Sequence, residues 1–237
     1  KVNGEIICAD SRTVYKGMDI GTAKPSLKEQ DGVAHHLLDV IEPDQKFTAA
    51  EFKNRAEKLI DEIWARGKFP IIVGGTGLYI DSVLFDYQFS DDTVKPNPAN
   101  PRHLTDSDQA DRNKPLRKNT LLLGINADRE VLRTRIEKRV GQMFLDGFLN
   151  EVKSLADRYG WDNESMSGIG YSVAKEYFDG GASEEEVKEA FVSRDMSLAK
   201  RQMTWFKRNK DIKWFEDSDK LIEAAQRFCS RFILAKK

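Results

Sequence analysis

Gly4-Glu5-Ile6-Ile7-Cys8-Ala9-Asp10-Ser11-Arg12-Thr13-Val14-Tyr15-Lys16-Gly17 is the stretch that decides the fold class. Ile6, Ile7, Cys8 and Ala9 form a short apolar run with no polar alternation, the pattern of a strand buried on both faces of a parallel sheet. The run stops at Asp10-Ser11. Ligands of open α/β sheets sit beyond the carboxyl ends of the strands, so a carboxylate at this point is placed for chemistry. An Asp-Ser pair equally suits a turn or a helix cap. The local sequence leaves both roles open for Asp10.

The same grammar recurs downstream. Thr48-Ala49-Ala50-Glu51 is a capping box, and Phe52, Ala56, Leu59, Ile60 and Ile63 follow at helical spacing. After Arg66-Gly67, Ile71-Ile72-Val73 reads as a second buried strand, running into Gly74-Gly75-Thr76-Gly77-Leu78-Tyr79-Ile80. Strand, glycine-rich turn and helix in that order suit a phosphate or a base, because glycine lets backbone approach closely and a helix start offers N–H donors. No Gly-Lys-Ser/Thr follows, so the turn is not a Walker A loop. Alone it is a weak signal.

Thr120–Ile125 reads as a third buried strand, and Asp128 caps a helix through Leu132, Ile136, Val140, Met143 and Phe144. Arg135 and Arg139 are four apart on it, so they share a face and can clamp one anion, unless they belong to a solvated basic face. Phe148–Tyr159 is a further amphipathic helix, and Ser165–Tyr171 a small-residue turn before another. Ser183-Glu184-Glu185-Glu186 opens a long helix with acidic groups at its positive end. That helix continues into Lys200-Arg201-Gln202-Met203-Thr204-Trp205-Phe206-Lys207, where basic and aromatic residues interleave. Such a mixture suits phosphate clamping with base stacking, and equally an aromatic core stripe with snorkelling lysines. Ile212–Phe215 looks like a last strand and Lys220–Leu234 a closing helix.

Composition narrows the function classes. The chain has 237 residues and a net charge of −1 with 32% charged residues, so any RNA binding must come from local basic clusters. Cys8 and Cys229 lie far apart, which suggests a reduced, cytoplasmic protein without a disulfide framework. No apolar run is long enough to span a bilayer. His35 and His36 are adjacent and point to opposite sides of an extended segment; with His103 as the third histidine, no metal site is read, and one imidazole is expected to be hydrogen-bonded under a loop. Gly21–Asp39 reads as loop. Residues 90–119 are rich in Pro, Asp, Lys and Arg and read as a linker or trimmed insertion. Lys1–Gly4 resembles a helix end with Gly4 as cap, so a segment before it is expected.

Taken together the motifs resemble the tRNA dimethylallyltransferase (tRNA isopentenyltransferase) family. Asp10-Ser11 with Val14-Tyr15-Lys16-Gly17-Met18-Asp19-Ile20-Gly21-Thr22-Ala23-Lys24-Pro25 is similar to one family block, His35-His36-Leu37 to a second, and Val73–Tyr79 to the signature loop. Arg135-Ile136 with Arg139-Val140, then Ile169-Gly170-Tyr171 and Ala199–Phe206, complete the series in family order across nearly the whole chain.

The resemblance implies an α/β fold of the P-loop NTPase type, a parallel sheet flanked by helices with a reduced insertion lobe. Residues 1–85 and 120–237 would form the core and 86–119 the linker or trimmed lobe. It implies transfer of a dimethylallyl group from its diphosphate to N6 of an adenosine beside a tRNA anticodon, with Mg2+ as cofactor. Asp10 matches the family's base, Thr76 the threonine beside the adenine, and Arg139 the diphosphate arginine, with Arg135 and Arg194 beside it. Asp10, Ser11, Arg12, Thr13, Thr76, the turn Ser167-Gly168-Ile169-Gly170-Tyr171-Ser172, and Lys200, Arg201, Gln202, Met203, Thr204, Trp205, Phe206 and Lys207 match tRNA-contacting positions. The partners implied are the tRNA anticodon loop and dimethylallyl diphosphate, with no membrane and a monomeric protein.

Three departures stand out. The family's opening strand and Gly-Xaa-Xaa-Xaa-Xaa-Gly-Lys-Ser/Thr loop are not in this sequence. Only 90–119 stands where a helical insertion is expected. Thr13 replaces a common Gln and Lys207 a common Arg. An adenylate isopentenyltransferase acting on free AMP, ADP or ATP, and a non-catalytic RNA-binding remnant, are the rival readings; a small-molecule kinase would need a Walker lysine that the sequence lacks.

Overall fold

The computed structural model describes residues 2–89 and 115–234. The opening stretch forms β1 (Gly4–Cys8), with Ile7 and the following Ala9 fully buried. It is the middle strand of a parallel sheet, between β2 (His35–His36) and β3 (Phe69–Val73). Ile6 stands opposite both His35 and Ile71, and Cys8 opposite Val73. Gly4 is therefore the first paired residue of the strand, in register with Phe69, and not the helix cap its sequence suggested. A Cβ at Gly4 would come within 2.7 Å of Ile71 Cδ1, so tight packing against β3 explains the glycine.

The expected single sheet is divided among the described residues. β4 (Leu123–Ile125) pairs in parallel with β5 (Lys213–Phe215) in a separate two-stranded sheet, with Leu123 opposite Lys213. Neither β3 nor β4 is the fully buried strand that its apolar run predicts, since each lies at a sheet edge. Val73 is 51% and Ile125 62% exposed. Fully apolar runs predict burial only where both neighbours and both faces are covered.

The helices follow their sequence signals closely. α1 (Leu27–Gln30) is one turn inside the stretch read as loop; Ser26 and Glu29 form a capping box there that the sequence reading passed over. α2 (Ala49–Ala65) starts at the predicted Thr48–Glu51 box and buries Phe52, Ala56, Ile60 and Ile63. It packs on β1, β3 and α3 (Gly77–Leu84). Asp128 caps α4 (Arg129–Leu145), accepting from Glu130 N at 2.8 Å. α5 (Phe148–Tyr159), a 3-10 turn at Ser165–Ser167 and α6 (Ile169–Phe178) lead to α7 (Glu184–Phe206), with the capping box Ser183–Glu186. α8 (Ser218–Leu234) closes the described chain against β4 and β5.

Phe148 sits where α5, α6 and α7 meet, with ring centroids 5.8 Å from Tyr171 and 5.6 Å from Phe191. Burying each such ring contributes about 2–3 kcal/mol. No described helix is long and apolar enough to cross a membrane.

Two charged clusters brace the frame. Glu5, 4% exposed, faces Arg66 Nη2 at 2.7 Å, Lys68 Nζ at 3.0 Å and His36 Nε2 at 2.7 Å. Arg66 first, then His36 and Lys68, hold its carboxyl down at about 2. His36 thus has the structural role expected of it, on a neighbouring strand and not under a loop. Lys24 has a side chain 5% exposed and donates to Tyr15 O at 2.7 Å, with Asp19 Oδ1 and Asp39 Oδ1 each at 2.6 Å.

Candidate functional site

The carboxyl ends of β1 and β3 lie side by side, and the chain beyond each is stitched to the other. Ala9 N donates to Val73 O at 2.7 Å, and Thr76 N donates back to Ala9 O at 3.1 Å. Gly74 is required at this crossing: a Cβ there would lie 2.1 Å from Ala9 O, inside any permitted contact. Thr76 occupies the N-cap position of α3, yet its hydroxyl makes no capping bond. It crosses to the other strand end, accepting from Ser11 N at 3.0 Å and lying 3.4 Å from Ser11 Oγ. Ser11 and Thr76, far apart in sequence, are thereby joined, with Asp10 next to Ser11 in the chain.

Asp10 takes up the turn-forming role that its sequence offered. Its Oδ1 accepts from Arg12 N at 2.7 Å and Thr13 N at 3.3 Å, which makes it a turn-former. Both of these bonds are made by Oδ1. At Cys8, two residues back, burial, then the Asp10 charge, pushes the thiol up to about 11.

The remaining wall comes from α5, α6 and the 3-10 turn between them. Arg12 reaches over to that turn, its Nη1 donating to Glu164 O at 2.8 Å and its Nη2 lying 3.4 Å from Ser167 Oγ. Glu151 accepts from Asp19 N, Ile20 N and Gly21 N at 2.9, 2.7 and 2.9 Å, and from Tyr171 Oη at 2.7 Å. Burial first, then Glu151, drives the Tyr171 phenol far above its ordinary range. Thr13 is buried, and its Oγ1 is enclosed with no hydrogen-bond partner.

The proposed RNA-contacting residues divide by exposure. In the 167–172 turn Ser167 is exposed and Ile169 and Ser172 half-buried, but Gly168, Gly170 and Tyr171 are buried. The ring of Tyr171 is packed against Phe148 and its hydroxyl bonds Glu151. On α7 Lys200, Arg201 and Thr204 are exposed, as is Lys207 at its end, while Met203 and Phe206 are half-buried. Gln202 and Trp205 face inward, donating to Gly75 O at 3.1 Å and to Asp81 Oδ2 at 2.9 Å.

Arg135, Arg139 and Arg194, the residues that the resemblance gives to the diphosphate, have different partners. Arg139 Nη2 pairs with Asp195 Oδ2 at 2.6 Å, Arg194 holds Ser172 Oγ at 3.1 Å and Glu176 Oε1 at 3.4 Å, and Arg135 is exposed on α4. Helical spacing put Arg135 and Arg139 on one face, but the buried carboxylate on α7 turns Arg139 toward itself. Among the described residues no hydrogen bond joins these arginines to Asp10 or Thr76.

The sequence reading gave no individual role to Glu151, Lys24 or Asp195. Each looks like an ordinary polar residue, and only its burial and its partners mark it.

A family model described as IPP transferase matches residues 13–110 and 99–209. The chain belongs to the IPP transferase family. A tRNA dimethylallyltransferase of Geobacillus thermodenitrificans is 38% identical over 265 residues, covering 92% of this chain and 84% of the relative. The structure of a full-length tRNA isopentenylpyrophosphate transferase from Bacillus halodurans superposes with a TM-score of 0.82 at 33% identity, covering 97% of this chain and 88% of that one. A tRNA delta(2)-isopentenylpyrophosphate transferase from Staphylococcus epidermidis gives a TM-score of 0.81 at 34% identity, with coverages of 97% and 92%. The parallel sheet flanked by helices is thus the fold of this prenyltransferase family.

Proposed function

We infer that this chain transfers a dimethylallyl group from dimethylallyl diphosphate to N6 of the adenosine 3′ of the anticodon in tRNA, releasing diphosphate. The observation that carries the reading is the junction of Asp10, Ser11 and Thr76 at adjoining strand ends, in a chain belonging to the IPP transferase family. A purine's exocyclic amine is a poor nucleophile because its lone pair is conjugated with the ring. Asp10 takes the N6 proton as the nitrogen attacks C1 of the prenyl group. The N6–C1 bond forms, the C1–O bond breaks, and diphosphate leaves with the electron pair. Thr76, its hydroxyl oriented by Ser11, lies beside the acceptor base. Arg139 faces the charge growing on the diphosphate.

The target base is turned out of the anticodon loop, which costs a few kcal/mol of stacking. Arg12, the exposed Ser167, and the outer face of α7 at Lys200, Arg201 and Lys207 supply the RNA contacts.

Mg2+ fits the donor set in one way. Among the described residues no three His, Cys, Asp or Glu side chains converge to hold a metal. Mg2+ is commonly held through phosphate oxygens with few protein ligands, so it would arrive on the donor's diphosphate, with the Ser11 and Thr76 hydroxyls as hard oxygen donors nearby. When bound it neutralises leaving-group charge. The two segments of the family match, 13–110 and 99–209, overlap at 99–110 and so meet within 86–119, which supports reading that stretch as a trimmed insertion. We place the enzyme in the cytoplasm as a monomer.

The test is an assay with dimethylallyl diphosphate and Mg2+, offering tRNA and AMP separately to the wild-type chain and to Asp10→Asn. Transfer to tRNA and not to AMP is expected. Asp10→Asn keeps the acceptor for Arg12 N and Thr13 N but not the base, so the rate falls about 10²- to 10⁴-fold while tRNA affinity stays near wild type. Turnover retained in that variant refutes the base; transfer to AMP alone refutes the substrate.

A further inference from the structure

The C-terminal half of α7 carries a device that the RNA-contact reading of Lys200–Lys207 does not explain. Its outer face is exposed and basic, at Lys200 and Arg201. Its inner face grips the glycine-rich loop. A Cβ on Gly75 would lie 2.1 Å from Gln202 Nε2, and one on Gly77 would lie 2.3 Å from Trp205 Cδ1, so both glycines are needed for the helix to seat. Thr76 lies between them. Because its hydroxyl is used on Ser11 and not as a cap for α3, the loop is held by Thr76 N on Ala9 O and by Gln202 on Gly75 O. Trp205 fixes the same region from α3, through Asp81.

Asp195 lies seven residues before Gln202, two helical turns and about 10 Å along the same face. It is 8% exposed and holds Arg139, whose side chain remains 49% exposed and open to a ligand. Burial pushes the Asp195 carboxyl up and Arg139 opposes it, as for an ion pair that the fold maintains against a desolvation cost.

We propose that Gln202, Trp205 and Asp195 are positioning residues, the inner face of α7 being a rigid bar that sets Thr76 at a fixed distance from the Arg139 guanidinium. This rests on the reading of Thr76 and Arg139 as parts of the prenyl-transfer site. Alignment of an acceptor amine with a departing diphosphate is sensitive to displacements of an ångström, and both groups are carried on one helix by side chains that touch no substrate themselves. RNA engaged on the outer face of α7 bears on the same helix.

The experiment compares the full chain with Gln202→Leu, Trp205→Phe and Asp195→Asn. It reads backbone hydrogen exchange across 74–80, tRNA affinity, and steady-state kinetics with dimethylallyl diphosphate. Gln202→Leu and Trp205→Phe are expected to speed exchange at Thr76–Ile80 about tenfold. They are expected to lower kcat about 10- to 100-fold, with tRNA affinity within about twofold of wild type. Asp195→Asn is expected to raise KM for the diphosphate about tenfold without changing exchange in the loop. Unchanged exchange in the first two variants overturns the proposal, as does weakened tRNA binding with unchanged kcat, which would make them RNA contacts. A wild-type chain that transfers no prenyl group refutes the site reading; the exchange result then decides whether the α7 bar exists.

Discussion

Glu151→Gln isolates the strongest single polar anchor of the site wall. The carboxylate serves four donors: Oε2 takes Asp19 N and Ile20 N, and Oε1 takes Gly21 N and Tyr171 Oη. Glutamine has one acceptor oxygen and one NH2 group. Its better orientation keeps the oxygen on Asp19 and Ile20 and turns the NH2 toward Gly21 and Tyr171. The tyrosine hydroxyl can rotate and accept, but Gly21 N loses its partner, and the surviving bonds lose their ionic component. One lost bond to a charged acceptor costs about 1.5–3 kcal/mol; because Glu151 is half-buried, about 2 kcal/mol is expected. At this chain length that corresponds to a Tm lower by roughly 4–8 °C. Thermal melts at pH 7 followed by circular dichroism measure it, beside Tyr171→Phe and the double variant. The two residues share one bond, so the double variant should lose less than the sum of the singles. A Glu151→Gln melt within about 1 °C of wild type, or strict additivity, would refute the anchor.

Two further perturbations test the frame. Glu5 has its carboxyl held at about 2 against an ordinary value of 4.5, so its contribution is fully present above the ordinary value and is lost as pH falls toward 2. Denaturation between pH 7 and 2 should show Glu5→Gln less stable at neutral pH but with a shallower acid decline; parallel declines would remove Glu5 from the account. Gly74→Ala drives a Cβ onto the backbone of Ala9, whereas Gly17 has φ +70 with nothing within 4 Å of its Cβ position. Gly17→Ala should therefore fold with a loss of about 1–2 kcal/mol, and Gly74→Ala should yield little folded protein; equal melting temperatures would contradict the crossing.

Wherever a residue acts through chain-local geometry, the sequence was sufficient. Thr48, Asp128 and Ser183 cap helices because a side-chain oxygen and a backbone N–H two or three residues on are neighbours in any fold. The apolar run from Ile6 is enough to read a strand of a parallel sheet, and the structure has that strand at Gly4–Cys8. The ordered blocks from Asp10 to Phe206 sufficed to place the chain in its family.

What the tertiary structure decided was the direction in which each polar group is used. Arg135 and Arg139 share a helical face, yet the buried Asp195, 56 residues from Arg139, claims the latter. Gln202 and Trp205 stand in the same basic-aromatic run as Lys200 and Arg201, but burial against Gly75 and Gly77 turns them inward. The separation of β4 and β5 into their own sheet was likewise beyond reach, because an apolar run encodes burial without naming its neighbour. Periodicity fixes which side of an element a residue occupies; the partner on that side is set by long-range packing, which no local stretch of sequence contains.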